Sequence, residues 1–135
     1  MIEQITPYLT HRLRRDVMYP EKKVFEMEIP EDNDGIHFGA FKDNKLVGVV
    51  SLFQTGTDFQ FRKLAVDNAL QKTGVGNALL TYVIDYAIEN GGTRIWCNSR
   101  DSAIGFYQKA GFSATGKYFF KDGIDYAIME KLLVK

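Results

Sequence analysis

Apolar and polar positions change period several times along this chain, and each change marks an element. Ile2–Ile5 reads as a very short strand. Leu9, Leu13 and Val17 then recur at four-residue spacing and predict one apolar helix face. Thr6 is placed to cap that helix and Pro7 to take its first position, where the missing N–H is no loss. Pro20 ends it. The stretch Glu21–Gly35, with Ile29-Pro30 and Asp32-Asn33-Asp34-Gly35, reads as a loop with room for a helical turn.

The period then falls toward two. His37–Phe41 and Leu46–Gln54 predict a hairpin across a four-residue polar connection, Lys42-Asp43-Asn44-Lys45, and Phe59–Val66 predicts a third antiparallel strand. After the glycine-bearing stretch Gln71–Gly76, the residues Val75, Leu79, Tyr82, Val83 and Tyr86 form the buried stripe of a helix that runs to about Asn90 and stops at Gly91-Gly92. Arg94–Asn98 is nearly continuous in apolar character, which predicts a parallel strand covered on both faces. Asp101 or Ser102 is placed to cap a second helix whose face is Ala103, Phe106, Tyr107 and Ala110, with Gly111 as its terminal glycine. Ser113–Phe120 and Asp125–Val134 predict a last hairpin around Lys121-Asp122-Gly123. The order is strand, helix, three strands, helix, strand, helix, two strands. It predicts an α+β (mixed α/β) domain over residues 1–135, a single sheet layer with helices on its faces.

Composition narrows the function classes. A chain of 135 residues fits one domain with a real core, and a formal net charge of zero argues against nucleic acid or an anionic membrane as the main partner. The lone cysteine, Cys97, follows Ile95 and Trp96, so a buried, inert thiol and a reducing, cytoplasmic setting are expected. No apolar run is long enough to span a membrane, and the start, with no apolar signal core, leads us to expect no export.

The strongest chemical signal is Gln71-Lys72-Thr73-Gly74-Val75-Gly76 between a strand and a helix. Glycines let backbone pass close to a ligand with N–H groups outward, and the helix N-terminus adds unsatisfied donors and the positive end of its dipole. Together these suit a pyrophosphate, and Lys72 can add charge. The spacing is neither that of a nucleoside triphosphatase loop nor that of a Rossmann dinucleotide site. Read alone, the stretch equally describes an ordinary tight loop.

With Lys63-Leu64-Ala65-Val66 before that turn and Ser102-Ala103-Ile104-Gly105-Phe106-Tyr107-Gln108-Lys109-Ala110-Gly111-Phe112 after it, the sequence resembles the GNAT superfamily of N-acetyltransferases. Within it, His37–Phe41, Phe59–Ala65 and Trp96–Arg100 look like the branch that contains glyphosate N-acetyltransferase. The resemblance implies a mostly antiparallel twisted sheet of about six or seven strands, with a V-shaped split between two central parallel strands. It implies acetyl-CoA as co-substrate and no metal. Backbone groups of Leu64, Ala65 and Val66 would pair with the pantetheine arm. Gln71, Lys72, Thr73, Gly74, Val75 and Gly76 would hold the pyrophosphate. Ala103 and Phe106 would lie along the thioester end, and Lys109 would approach a nucleotide phosphate. A small-molecule amine is the implied acceptor, with neither nucleic acid nor membrane as partner and a homodimer compatible.

Acetyl transfer needs a neutral, aimed amine, donors for the oxyanion and a proton for the departing thiolate. Backbone N–H groups near Val66 are candidate oxyanion donors. Tyr107 matches the tyrosine that faces the leaving sulfur, although a core aromatic at helical spacing is the plain alternative. Tyr126 stands where the branch carries its histidine base, and an unshifted tyrosine is a poor base at neutral pH. His37 is a fallback candidate, more readily structural or substrate-lining. Arg62 and Arg100 match positions that meet anionic groups, while Tyr19 stands where a third arginine is expected. Two functions follow: an N-acetyltransferase of a carboxylate- or phosphonate-bearing amine, or a catalytically weak acyl-CoA-binding sensor that has lost its base. Free thiol released from acetyl-CoA over an amine panel separates them.

Overall fold

The structure is a computed structural model that describes residues 1–133. Its strands are β1 (Ile2–Ile5), β2 (Ile36–Lys42), β3 (Lys45–Thr55), β4 (Asp58–Val66), β5 (Arg94–Arg100), β6 (Ser113–Lys121) and β7 (Ile124–Leu132). They form one seven-stranded sheet in the order β1-β2-β3-β4-β5-β7-β6. Its β1–β2, β2–β3, β5–β7 and β6–β7 ladders are antiparallel. The β4–β5 ladder is parallel, over Asp58–Gln60 against Arg94–Trp96. A parallel pair needs a long crossover, and α2 (Val75–Glu89) supplies it. The other helices are the short α1 (His11–Leu13) and α3 (Ile104–Lys109). This is the α+β architecture expected from the sequence. Among the described residues, no helix is long and apolar enough to cross a membrane.

The chain divides into two compact units, Met1–Phe53 with Phe61–Asp85, and Gln54–Gln60 with the chain from Tyr86 onward. In the first unit, the predicted N-terminal helix is composite: a 3₁₀ turn Pro7–Thr10, α1, and a π turn Arg14–Met18. Pro7 does start it, but the Thr6 side chain makes no capping bond. A 3₁₀ turn closes in about three residues, so the four-residue stripe slips: Leu13 is buried in the core with Val49 and Ala65, whereas Leu9 faces solvent. The loop that follows holds two more 3₁₀ turns, Val24–Met27 and Pro30–Asp34.

The β2–β3 connection is tighter than predicted. Lys42 pairs with Lys45, and Asp43 and Asn44 take φ of 52° and 64°, the two left-handed residues of a two-residue hairpin turn. Leu79, Leu80 and Val83 of α2 are buried, while Tyr82 sits at the rim, its ring 5.0 Å from that of Phe38. Gly48 on β3 makes room for the helix: a Cβ there would lie 2.9 Å from Leu79 Cδ1 and 3.0 Å from Val75 Cγ1. That close approach seats the N-terminal turns of α2 on the sheet.

In the second unit, β5 is not covered on both faces. Ile95, Cys97 and Ser99 are buried, and the alternating face carries Arg94, whose guanidinium lies over the Trp96 ring and bonds Glu130 at 2.6 Å. The apolar appearance of the segment hid a two-residue alternation. The second helix opens with a 3₁₀ turn, Asp101–Ala103, and neither Asp101 nor Ser102 caps α3 through its side chain. The β6–β7 turn is again two residues, Asp122 and Gly123, both at positive φ. β7 ends at Leu132, and Val134, in the predicted strand, lies outside the described residues.

Candidate active site

The glycine-bearing turn is built from the end of β4. The Asp67 carboxylate accepts from Ala69 N–H at 2.9 Å and shapes a 3₁₀ turn, Asn68–Leu70. The Gln71 amide donates to Val66 O at 3.1 Å and to Asn68 Oδ1 at 3.0 Å. Its side chain therefore ties the turn to the strand end. Lys72 and Gly74 take φ of 67° and 99° around Thr73, and the helix starts at Val75. Alternating handedness of this kind turns successive N–H groups toward one point, and α2's first-turn amides follow directly. Gln71 to Gly74 are exposed to solvent.

The strand leading into the turn is kinked. Lys63 takes a φ of 58° inside β4, immediately before Leu64, Ala65 and Val66. Arg62 Nη1 lies 3.5 Å from Glu31 Oε2, and its guanidinium sits 5.8 Å from the Phe53 ring centroid. Lys63 Nζ donates to the Tyr19 hydroxyl at 3.1 Å and lies over the Tyr19 ring.

His37 belongs to a buried polar network. Its Nε2 lies 2.8 Å from Asp32 O and its Nδ1 2.7 Å from Ser51 Oγ. A carbonyl only accepts, so Nε2 carries the proton and Nδ1 accepts from the Ser51 hydroxyl. Burial holds the His37 pKa below its ordinary value, with smaller contributions from the neighbouring charges. Both nitrogens are engaged in this way, which is the arrangement of a structural histidine.

The centre of that network went unrecognised in the sequence. Arg14 is 1% exposed and donates to both oxygens of Asp32 at 2.9 Å, to Met27 O at 3.0 Å and to Ser51 Oγ at 2.9 Å. Two signals were present: Ser51 interrupts the apolar run Val49–Leu52, and Asp32 opens a turn cluster just before a strand. Neither names its partner, because Arg12 and Arg15 flank Arg14 with the same chemistry.

In the second unit, Tyr107 of α3 is packed against Phe106 and Phe112, with ring centroids 5.2 and 5.9 Å away. Burial, with a smaller contribution from Cys97, pushes the Tyr107 hydroxyl far above its ordinary pKa. The Cys97 thiol is itself pushed up to about 12 by burial, so it stays protonated and inert. Ala103 is half-buried, Phe106 is partly exposed, and Lys109 is exposed in the last turn of α3. Tyr126 pairs in register with Arg100, and its ring stacks on Phe119 at 4.9 Å. Asp101, Tyr118, Phe119, Asp125 and Tyr126 line a shallow pocket there.

Residues 9–133 match the family model described as an acetyltransferase (GNAT) domain. The uncharacterized N-acetyltransferase YitI of Bacillus subtilis is 25% identical over 134 residues, which covers 92% of this chain and 90% of YitI. The structure of IAA acetyltransferase from Bacillus cereus superimposes with a TM-score of 0.80 at 20% identity, over 98% of this chain and 99% of that one. A Bacillus subtilis acetyltransferase solved in complex with CoA does so with a TM-score of 0.77 at 24% identity, over 98% of both chains. With a family match spanning all but the first few described residues, on this strand order, the chain belongs to the GNAT acetyltransferase family and is an acetyl-CoA-dependent acyltransferase.

Proposed function

We propose that the protein transfers the acetyl group of acetyl-CoA to the primary amine of a small acceptor bearing a carboxylate or phosphonate, as in the glyphosate N-acetyltransferase branch. The observation that carries this reading is the exposed turn of residues 71–74, with Lys72 and Gly74 left-handed just before α2. In the reading, those N–H groups and the α2 N-terminus hold the pyrophosphate, with Thr73, Val75 and Gly76 contributing backbone and Lys72 charge. The left-handed Lys63 interrupts β4 just before Leu64–Val66, which suits pairing of that segment with the pantetheine arm and an N–H near Val66 for the oxyanion. Ala103 and Phe106 line the thioester end, and Lys109 meets the nucleotide phosphate.

The chemistry is a single acyl transfer. The neutral amine attacks the thioester carbonyl carbon and the C–S bond breaks, with the Tyr107 hydroxyl donating a hydrogen bond to the sulfur that leaves as thiolate. The acceptor nitrogen loses its proton to water held beside Tyr126. Arg62 and Arg100 are the residues proposed to meet the acceptor's anionic group. His37 supports the fold beneath rather than taking a proton.

Gly74→Val tests the pyrophosphate placement. A Cβ at Gly74 would meet nothing within 4 Å, so the protein itself has room for it. What remains is the left-handed backbone, which valine resists, and the space where phosphate must come close. CoA affinity measured by calorimetry is expected to fall about ten-fold or more, the loss of one or two charge-assisted contacts. Undiminished affinity in a folded variant would defeat the placement. Arg62→Ala is expected to raise the acceptor's KM about ten-fold while that of acetyl-CoA stays within about two-fold, since it removes one charge-assisted contact to the acceptor alone. Equal effects on both would remove Arg62 from the acceptor site.

A further inference from the structure

Consecutive strand residues send their side chains to opposite faces. Arg62 and Lys63 are consecutive in β4, yet both end on one segment, the stretch between α1 and β2: Arg62 at Glu31 and Lys63 at Tyr19. The φ of 58° at Lys63 accounts for this, because a left-handed residue interrupts the alternation. Lysine gains nothing from that conformation, and strain of this sort persists where the surroundings hold it for a purpose. Its consequence is two cations, immediately before the Leu64–Val66 segment, that both turn to the chain between α1 and β2.

The anion that Arg62 meets is internal. Glu31 stands on the Pro30–Asp34 turn, and its neighbour Asp32 is clamped by the buried Arg14 through two 2.9 Å bonds, so the turn is fixed in place. The Glu31–Arg62 pair itself is loose: it is 3.5 Å long, with the two side chains 54% and 31% exposed. A long, exposed ion pair is weak, so a better-placed oxyanion can replace it. Phe53 beneath the guanidinium keeps Arg62 aimed when Glu31 lets go. We propose that Arg62 and Lys63 together form the acceptor's anion site, with Glu31 as the resident carboxylate that an acceptor carboxylate or phosphonate displaces. This rests on the acyltransfer reading above and adds to it Lys63 as a further recognition residue and Glu31 as a built-in competitor.

The test is calorimetric titration of the CoA-saturated protein with methylphosphonate and, separately, acetate, neither of which can be acetylated. Saturating CoA keeps the probes off the glycine-bearing turn. Lys63→Gln keeps the length of the side chain and removes its charge, and is expected to weaken binding of the better probe about ten-fold, with Lys63→Arg restoring it. Glu31→Gln is expected to tighten binding several-fold, because the competitor is gone. The stronger of the two probes identifies the acid the acceptor carries. Unchanged binding in Lys63→Gln, no tightening in Glu31→Gln, or no binding of either probe to any form overturns the inference. Failure of the acyltransfer reading shows separately, as absence of CoA binding in the initial saturation of the wild-type protein.

Discussion

Asp32→Ala is expected to destabilise the protein by about 3–5 kcal/mol, which is the range for removing one partner of a buried ion pair. The reason lies in what is left behind. Arg14 is 1% exposed, and without Asp32 its guanidinium keeps only Met27 O and Ser51 Oγ. A desolvated cation with two neutral acceptors is far more costly than a satisfied pair. The substitution also removes the carboxylate that accepts from Ile29 N–H at 3.1 Å and closes the Pro30–Asp34 turn. Domains of this kind are stable by roughly 5–15 kcal/mol, so much of the total is at stake. Urea unfolding followed by circular dichroism measures it. The double replacement Arg14→Met with Asp32→Leu should recover a large part, since an apolar pair of similar volume carries no desolvation cost. A loss under about 1 kcal/mol for Asp32→Ala would mean the pair is not held as described.

The same network sets how stability responds to acid. Burial raises the Asp32 pKa, but the Arg14 bonds, Ile29 N–H and nearby charge outweigh it, so the folded value lies below that of the unfolded chain. A carboxyl depressed in this way contributes stability that is fully present above its unfolded pKa, near 4, and is lost as pH falls through the folded value. His37 acts in the same direction at higher pH. Its folded pKa is lowered chiefly by burial, so below about 6.5 the unfolded chain binds a proton that the folded one refuses. Stability should therefore begin to decline below about pH 6.5 and decline again below about pH 4. His37→Gln should remove the first decline and leave the second.

Much of this was legible in the sequence because it rests on local pattern. Two-residue periodicity located β2, β3 and β4, and the glycines at 74 and 111 fell where left-handed backbone is required. The turn before α2 could be read because left-handed backbone favours glycine, which the spacing of Gly74 reports. What stayed hidden depends on partners distant in the chain. Arg14 and Asp32 are separated by 18 residues, and nothing local distinguishes Arg14 from the arginines on either side. Lys63 gave no sign of a kink, since a lysine in a strand ordinarily reads as a solvated edge. The face of β5 was misread because Trp96 is as apolar as a core residue, although its ring packs under Arg94 on the alternating face. His37, read as a fallback base and more readily as structural or substrate-lining, has both ring nitrogens engaged by Asp32 O and Ser51 Oγ, partners the sequence does not name.

Tyr107→Phe is expected to lower kcat by between about ten- and a hundred-fold, toward the lower end of what a positioned acid contributes. The hydroxyl is suited to donate a hydrogen bond to the departing sulfur. Burial raises its pKa far above the ordinary tyrosine value, so it stays protonated across the working range. A departing thiolate, newly formed and negatively charged, is the group able to accept that hydrogen bond. Phenylalanine keeps the ring between Phe106 and Phe112, so packing and the fold of α3 should survive. CoA affinity is therefore expected to stay within about two-fold, and the loss should fall on the chemical step alone, as for a contact made only in the transition state. Single-turnover thiol release, with acceptor saturating, reads that step directly. The wild-type profile should show no limb from Tyr107 up to at least pH 9, because its hydroxyl does not titrate in that range, well below its raised value. An unchanged single-turnover rate in Tyr107→Phe would return the residue to the aromatic cluster as packing, and the thiolate would then leave unaided or take its proton from water.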